Sequence, residues 1–277
     1  MEQTKGYLRM KGKIWGLNTG KVYETDFKKN ISFGIQTCKD NTNFISLGEW
    51  KNSTLNVKVK SQDMEKVVEM SEQDLVNDIK TFFKDGDSVY VNCRVNINTY
   101  TKKLEYKLNQ IYIEKEPINF NSDNFEETCE MIIPAVIIEK PKNEKIHVGF
   151  VDYRGNMMEQ ELIAIDDVIK DYFVENIKVG DLTKLFVRLY NKPVYKNGES
   201  SNKVVKTLKK GVVDTTNNQK RADSHELQLQ ITDIETNTIT SGKYTREEIR
   251  KSLEVENNTN EKEGVASDNI EDEDLPF

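Results

Sequence analysis

The sequence predicts an all-β protein with short helices: two tandem OB-like five-stranded barrels, then an acidic C-terminal tail without fixed structure. Three observations carry this. Apolar and polar residues alternate at period two through most of the chain, the mark of half-buried antiparallel strands. A helix–Gly-Asp–strand unit occurs twice, with Gly86 and Gly180 94 residues apart. The composition then changes after residue 245, where Glu, Asn, Asp and Thr replace nearly all apolar residues.

Strand patterns come first. Tyr7–Ile14 reads as an opening strand, Ile31, Phe33 and Ile35 alternate with smaller residues, and Leu55, Val57 and Val59 do the same. Ser71, with Asp74 three residues on, forms a capping box. It opens a helix carrying Leu75, Ile79, Phe82 and Phe83, which Gly86 stops. Val89, Val91, Cys93, Val95 and Ile97 form a long alternating run, continued by Leu104, Tyr106 and Leu108 after a polar turn. The second half repeats the plan. Ile146, Val148 and Phe150 alternate, and Asp166-Asp167 opens a helix with Ile169, Phe173 and Ile177 on one face. After Gly180 come Leu185, Val187 and Leu189, and late in the chain Leu227, Leu229 and Ile231. A helix between the third and fourth strands of a five-strand unit is OB order; another small Greek-key or SH3-like barrel is the alternative. The boundaries are 1–118 for the first barrel, 119–127 for a linker rich in Asn, Ser and Asp, and 128–243 for the second barrel. A short helix capped by Thr245 and Glu248, with Ile249 and Leu253, opens the terminal segment 244–277.

The chain has 277 residues, 36% hydrophobic and 31% charged, with a mean hydropathy of −0.69. That suits two small cores with much surface. No run approaches the roughly 18 apolar residues that span a bilayer, and no apolar leader follows Met1, so neither membrane nor secretion is expected. Three widely spaced cysteines, Cys38, Cys93 and Cys129, argue against a disulfide framework and for the reducing cytoplasm. The formal net charge is −7. Residues 252–277 hold nine acids and one base, so residues 1–251 carry a net +1. The acidity lives in the tail, and local basic patches on the body remain free to hold phosphates.

The tail ends Glu271-Asp-Glu-Asp-Leu-Pro-Phe277. This run resembles the C-terminal tip of bacterial and bacteriophage single-stranded-DNA-binding proteins: acids, one aliphatic residue, Pro and a terminal Phe. Phe83-Lys-Asp-Gly-Asp-Ser-Val-Tyr-Val91 followed by Arg94 also resembles the helix-end to strand-four stretch of their OB domains. The common bacterial form has one OB domain, a Gly/Gln/Pro-rich linker and a tetrameric assembly, whereas two barrels are read here. The resemblance implies single-stranded-DNA binding in replication, recombination or repair. It also implies a tip that docks a polymerase, helicase, nuclease or recombination mediator. Leu275, Pro276 and Phe277 would be its apolar end, with Pro276 and Phe277 the anchors. Asp272, Glu273 and Asp274 would steer it toward a basic rim. Monomer and homodimer both remain open.

Single-strand binding needs aromatic platforms beside a basic track. In the first half the aromatics are Trp15, Tyr23, Phe27, Phe33, Phe44, Trp50, Tyr90 and Tyr100, near Lys58, Arg94, Lys102 and Lys103. Phe residues at alternating positions, Phe33 among them, are assigned to core; Trp15, Trp50, Tyr90 and Tyr100 sit beside polar or turn residues and are assigned to the surface. The second half offers Tyr153, Arg154, Tyr190 and Tyr195. An insertion over 191–224 holds eight bases, including Lys196, Lys209 and Lys210, against three acids. Such a loop suits a clamp on a phosphate backbone; a solvated flexible loop is the bland alternative.

Catalysis finds little footing. There is no phosphate-binding Gly-rich loop, His147 and His225 stand apart, and the cysteines lack metal-ligand spacing. A non-enzymatic binder without cofactor or metal is expected. A protein-binding adaptor and an RNA-binding OB module are the rival readings.

Overall fold

The computed structural model describes residues 1–99, 101–140, 144–194, 207–209, 212–214 and 224–253; the acidic tail lies outside them. The first half contains β1 (Gly6–Trp15), β2 (Tyr23–Glu24), β3 (Lys28–Cys38), β4 (Asn41–Trp50), β5 (Asn56–Lys60), β6 (Val68–Ser71), α1 (Glu72–Phe82), β7 (Ser88–Asn98) and β8 (Lys103–Ile113). β1 pairs antiparallel with β3 and β7, β3 with β4, and β7 with β8, while β4 meets β8 in parallel at Ser46 and Lys107. The ring β1-β3-β4-β8-β7 is therefore a closed OB barrel, with α1 between its third and fourth strands.

The second half contains β9 (Thr128–Ile137), β10 (Lys145–Val151), β11 (Met157–Ala164), α2 (Asp167–Asn176), β12 (Leu182–Val194), β13 (Thr207–Lys209), β14 (Val212–Asp214) and β15 (Ser224–Thr240). The same ring recurs as β9-β10-β11-β15-β12, with the parallel closure between β11 and β15. A last helix, α3 (246–253), follows. Its Thr245–Glu248 cap is reciprocal, with Glu248 Oε2 accepting from the Thr245 N–H at 2.7 Å.

The two Gly-Asp units share their backbone conformation and the bonds that close the turn. Gly86 and Gly180 both have left-handed φ, +91° and +92°, a conformation that disfavours any side chain. The Gly86 N–H donates to the Ile14 carbonyl and that of Gly180 to the Ile137 carbonyl. Asp87 Oδ2 accepts from the Lys84 N–H at 2.9 Å, and Asp181 Oδ2 from the Lys178 N–H at 2.8 Å. Both helices start as their sequences dictate, with Ser71 accepting from the Asp74 N–H and Asp166 from the Ile169 N–H.

Sequence and structure differ at the third strand. The alternating run Leu55–Val59 supplies β5, which belongs to an added hairpin with β6 rather than to the ring. The ring strand is β4, whose alternation is masked: polar Asn41 and Asn43 point inward beside Ile45 and Leu47, while Phe44 and Trp50 point outward.

The halves are joined through strand pairing and one apolar core. β1 pairs with β3 through Lys13–Trp15 and, on the same edge, with β9 through Tyr7–Lys11. Interior residues of both barrels, from Leu8 and Phe33 to Phe150 and Leu189, form a single buried cluster. Burying each such side chain contributes about 1.5–3 kcal/mol. At the fork between β3 and β9, Glu127 accepts from Thr37 Oγ1 at 2.5 Å and Asn41 Nδ2 at 2.7 Å. It also forms an ion pair with Arg188. Thr37 and Asn41 are fully buried, so these bonds hold β3, β4 and β12 together where desolvation would otherwise cost stability.

Candidate nucleic-acid interface

Strand register places Trp15, Gly34 and Phe44 in one row across the outer face of β1, β3 and β4. Because Gly34 has no side chain, the two flanking rings meet edge to face, with centroids 5.9 Å apart and planes at 79°. A Cβ at Gly34 would stand 3.3 Å from Trp15 Cε3 and 2.8 Å from Thr42 Cγ2. Trp15 and Phe44 are each 45% exposed. Two large rings held in contact yet open to water make a platform for flat ligands.

The same wall continues to the β2–β3 turn and the end of β4. Tyr23 and Phe27 are exposed there, and the Lys28 ammonium lies 4.4 Å from the ring centroid of Trp50, itself 46% exposed. Lys51 and Lys29 converge on Glu24, at 2.8 and 3.3 Å. Their hydrogen bonds, Lys51 first, hold the Glu24 carboxyl below its ordinary value.

Beside Phe44 an open groove of about 370 Å³ is lined by Ser32, Ser46, Leu104 and Glu105, and on its far side by Asn191 and Leu227. Those last two belong to β12 and β15, whose hairpin leans on the first barrel. The Asn191 N–H donates to Asn41 Oδ1 at 2.8 Å, and Asn191 Nδ2 donates to the Thr42 carbonyl at 2.6 Å. The groove is thus built by both halves of the chain.

Of the residues expected at a site, Trp15, Tyr23 and Trp50 gather on this wall. Lys102, with φ +53°, ends the β7–β8 turn and exposed Lys103 opens β8, just before the groove-lining Leu104 and Glu105. Tyr90, Lys58 and Arg94 stand elsewhere, on the outer face of β5, β7 and β8. There Tyr90 stacks with Tyr112, Lys58 lies 3.7 Å from Glu69, and Arg94 forms an ion pair with buried Glu72. Arg94 is therefore tied to the fold. Tyr153 and Arg154 form a stacked pair in the β10–β11 turn. Tyr190 lies on β12 under the Arg188 guanidinium. Residues 191–194 of the expected insertion are part of β12, and Lys209 lies in the β13–β14 hairpin. Tyr100, Tyr195, Lys196, Lys210 and the tip Asp272–Phe277 lie outside the described residues. Phe33 is buried in the core. Gly34 is not singled out by the sequence, Asn191 stands at the edge of the expected insertion, and Leu227 is expected only as a strand residue alongside Leu229 and Ile231; it is exposed where they are buried. A glycine inside a strand signals close approach of neighbours, but its partners become visible only with register.

The equivalent face of the second barrel is different in kind. With Ile14 and Ile137 set equal by their bonds to Gly86 and Gly180, the row Trp15–Gly34–Phe44 becomes Ile138–His147–Glu161. His147 Nδ1 lies 2.7 Å from Glu159 Oε1, and Lys145 pairs with Glu161 at 2.9 Å.

No protein-family model matches the chain, and no curated protein matches it. Among solved structures, a deletion mutant of the single-stranded DNA binding protein from Thermus aquaticus is similar at a TM-score of 0.40 and 9% identity. That match covers 84% of this chain and 93% of that one. Among the described residues, no helix is long and apolar enough to cross a membrane.

Proposed function

We propose that this protein binds single-stranded DNA without strong sequence preference, through the outer face of β1, β3 and β4. The observation that carries the reading is the exposed Trp15–Phe44 pair, seated across Gly34 beside a groove walled by the second barrel. Every base has a π-face, so stacking tolerates any sequence and is worth roughly 1–3 kcal/mol per base. Lys28, Lys102 and Lys103 supply charge for phosphates along the same wall, and the basic segment carrying Tyr195, Lys196, Lys209 and Lys210 clamps the phosphate backbone. Residues 1–118 and 128–243 act as tandem units, the first holding the ligand. The protein works without catalysis, in the cytoplasm, in replication, recombination or repair. Its tip, Asp272–Phe277, recruits the polymerase, helicase, nuclease or recombination mediator that acts next.

Trp15 and Trp50 are the chain's two tryptophans, and both stand on the proposed wall. Titration with poly-dT should quench their fluorescence, with an affinity that falls as salt rises; duplex DNA should not compete at equal nucleotide concentration. Absence of quenching and of a gel shift would remove the reading. Equal competition by matched RNA would widen it to single-stranded nucleic acid. Deleting residues 274–277 should leave the quenching intact and abolish partner capture; a loss of DNA affinity would contradict the division of roles.

A further inference from the structure

Around the barrel from the Trp15–Phe44 wall, register builds a second aromatic row. Tyr90 on β7 is paired with Lys11 on β1 and with Tyr112 on β8, and Tyr112 is paired in turn with Lys60 on β5. Lys11, Tyr90, Tyr112 and Lys60 therefore stand side by side on one face across four strands. The two tyrosine rings are near parallel, with planes at 25° and centroids 6.3 Å apart, and both are half-buried. The gap between this row and Trp15 is bridged along β1 by Lys13, whose ammonium lies 5.3 Å from the ring centroid of Phe120. Phe120 is itself packed edge to face on Phe125.

We propose that a bound single strand does not stop at the front wall. It crosses β1 over Lys13 and Phe120 and continues onto the Tyr90–Tyr112 platform, with Lys11 and Lys60 holding its phosphates. This inference rests on the front wall being a single-stranded-DNA site. Cross-strand aromatic pairs stabilise sheets in their own right. The lysines on both sides of this one, and its continuity with the front wall through Lys13 and Phe120, give it a ligand as well. The acids beside the row are Glu114, 3.5 Å from Lys11, and Glu69, which acts on Tyr112 and lies 3.7 Å from Lys58; exposed pairs of this kind are weak and yield readily to a phosphate. With strands about 4.8 Å apart and a rise of about 3.3 Å per residue, the path from Phe44 to Lys60 runs on the order of 35 Å. That is well beyond what a strand of about four nucleotides occupies, and OB folds take sites of about 4–16 nucleotides.

The test is a ladder of oligo-dT from about 4 to about 16 nucleotides, read by tryptophan quenching on the full chain. Wild type should gain affinity in two steps as the strand first fills the front wall and then reaches the tyrosines. Tyr90→Leu with Tyr112→Leu keeps the apolar cover and removes the rings. It should leave the shortest strands bound as before and weaken the longest by about tenfold or more. Lys11→Glu with Lys60→Glu, two surface changes with little bearing on folding, should lower the salt slope for long strands by about 0.7 per lost phosphate contact. Long-strand affinity and salt slope both unchanged in these variants would overturn the inference and leave the front wall standing. No quenching of wild type at any length would overturn both.

Discussion

The two barrels share a ring order, a helix position and a Gly-Asp turn, yet present opposite chemistry on the same outer wall. In the first, a glycine lets a tryptophan and a phenylalanine meet in the open. In the second, the corresponding row is Ile138, His147 and Glu161, and Glu159 and Lys145 complete a polar, paired surface. The comparison separates what the fold needs from what the ligand needs. The turn residues Gly86, Asp87, Gly180 and Asp181 recur because each pair closes the same turn, the glycine in left-handed φ and the aspartate accepting from the N–H three residues before it. The rings do not recur, because nothing in the barrel requires them.

The contrast can be broken most severely at the rings. Trp15→Ala with Phe44→Ala should cost about 2–6 kcal/mol of single-strand affinity, roughly 30-fold or more, with the melting temperature nearly unchanged. A fluorescence-anisotropy titration with labelled oligo-dT checks this; retained affinity would mean that the face is not the site.

Next in size is the joint between the halves. Glu127→Ala removes one acceptor from each of Thr37 and Asn41, which keep the Asn41 and Leu189 carbonyls, and removes the ion-pair partner of Arg188; it should destabilise the protein by about 2–4 kcal/mol, seen as a lower urea midpoint. If instead the two halves melted separately with no loss in either, the joint would be shown to matter little.

A smaller effect follows from the thiols. Burial pushes the Cys129 thiol up to about 12 and that of Cys93 higher still, from an ordinary value of 9.0. Folding holds these protons, so the stabilisation is complete below pH 9 and is lost between about pH 9 and 12, where the unfolded chain ionises and the native one does not. Equilibrium unfolding followed across that range should show the decline. Labelling with a thiol reagent at neutral pH should modify half-buried Cys38 ahead of the other two.

The smallest expected change sharpens the comparison from the other side. Glu159→Gln with Glu161→Gln removes charge from the second barrel's wall and should alter single-strand affinity by less than about twofold at moderate salt. A large gain would mean that the second wall already lies near the strand and repels it.

Much of this was legible in the sequence because it is local. Helix caps at Ser71, Asp166 and Thr245, the Gly-Asp turns at Gly86 and Gly180, and the inward residues of β3, β7, β10 and β12 each follow from a handful of neighbouring residues. The helices themselves do not run to those glycines: they end at Phe82 and Asn176, where Phe83 and Ile177 turn extended. What was not legible depends on pairing between distant segments. Trp15 and Phe44 are 29 positions apart in the chain, and nothing local says that Gly34 lies between them. Phe44 and Trp50 also disguise their own strand, because aromatic residues turned outward reverse the usual pattern. Outward-facing aromatic residues obscure the signal of the element that carries them. Asn191 and Leu227 enter the groove only because β12 and β15 run past the end of their own barrel.

That overrun gives the groove two unlike ends. At one stands the β2–β3 turn with Tyr23, Phe27 and the Lys28–Trp50 contact; at the other stands a hairpin lent by the neighbouring barrel. A pair of identical subunits facing each other would offer a path that reads the same in both directions. This chain offers a path with a head and a tail, and a nucleic-acid strand also has a head and a tail. On the proposed function, the protein should therefore seat a single strand in one 5′-to-3′ sense. Each bound copy would carry an arrow along the strand, and a row of copies would all point the same way.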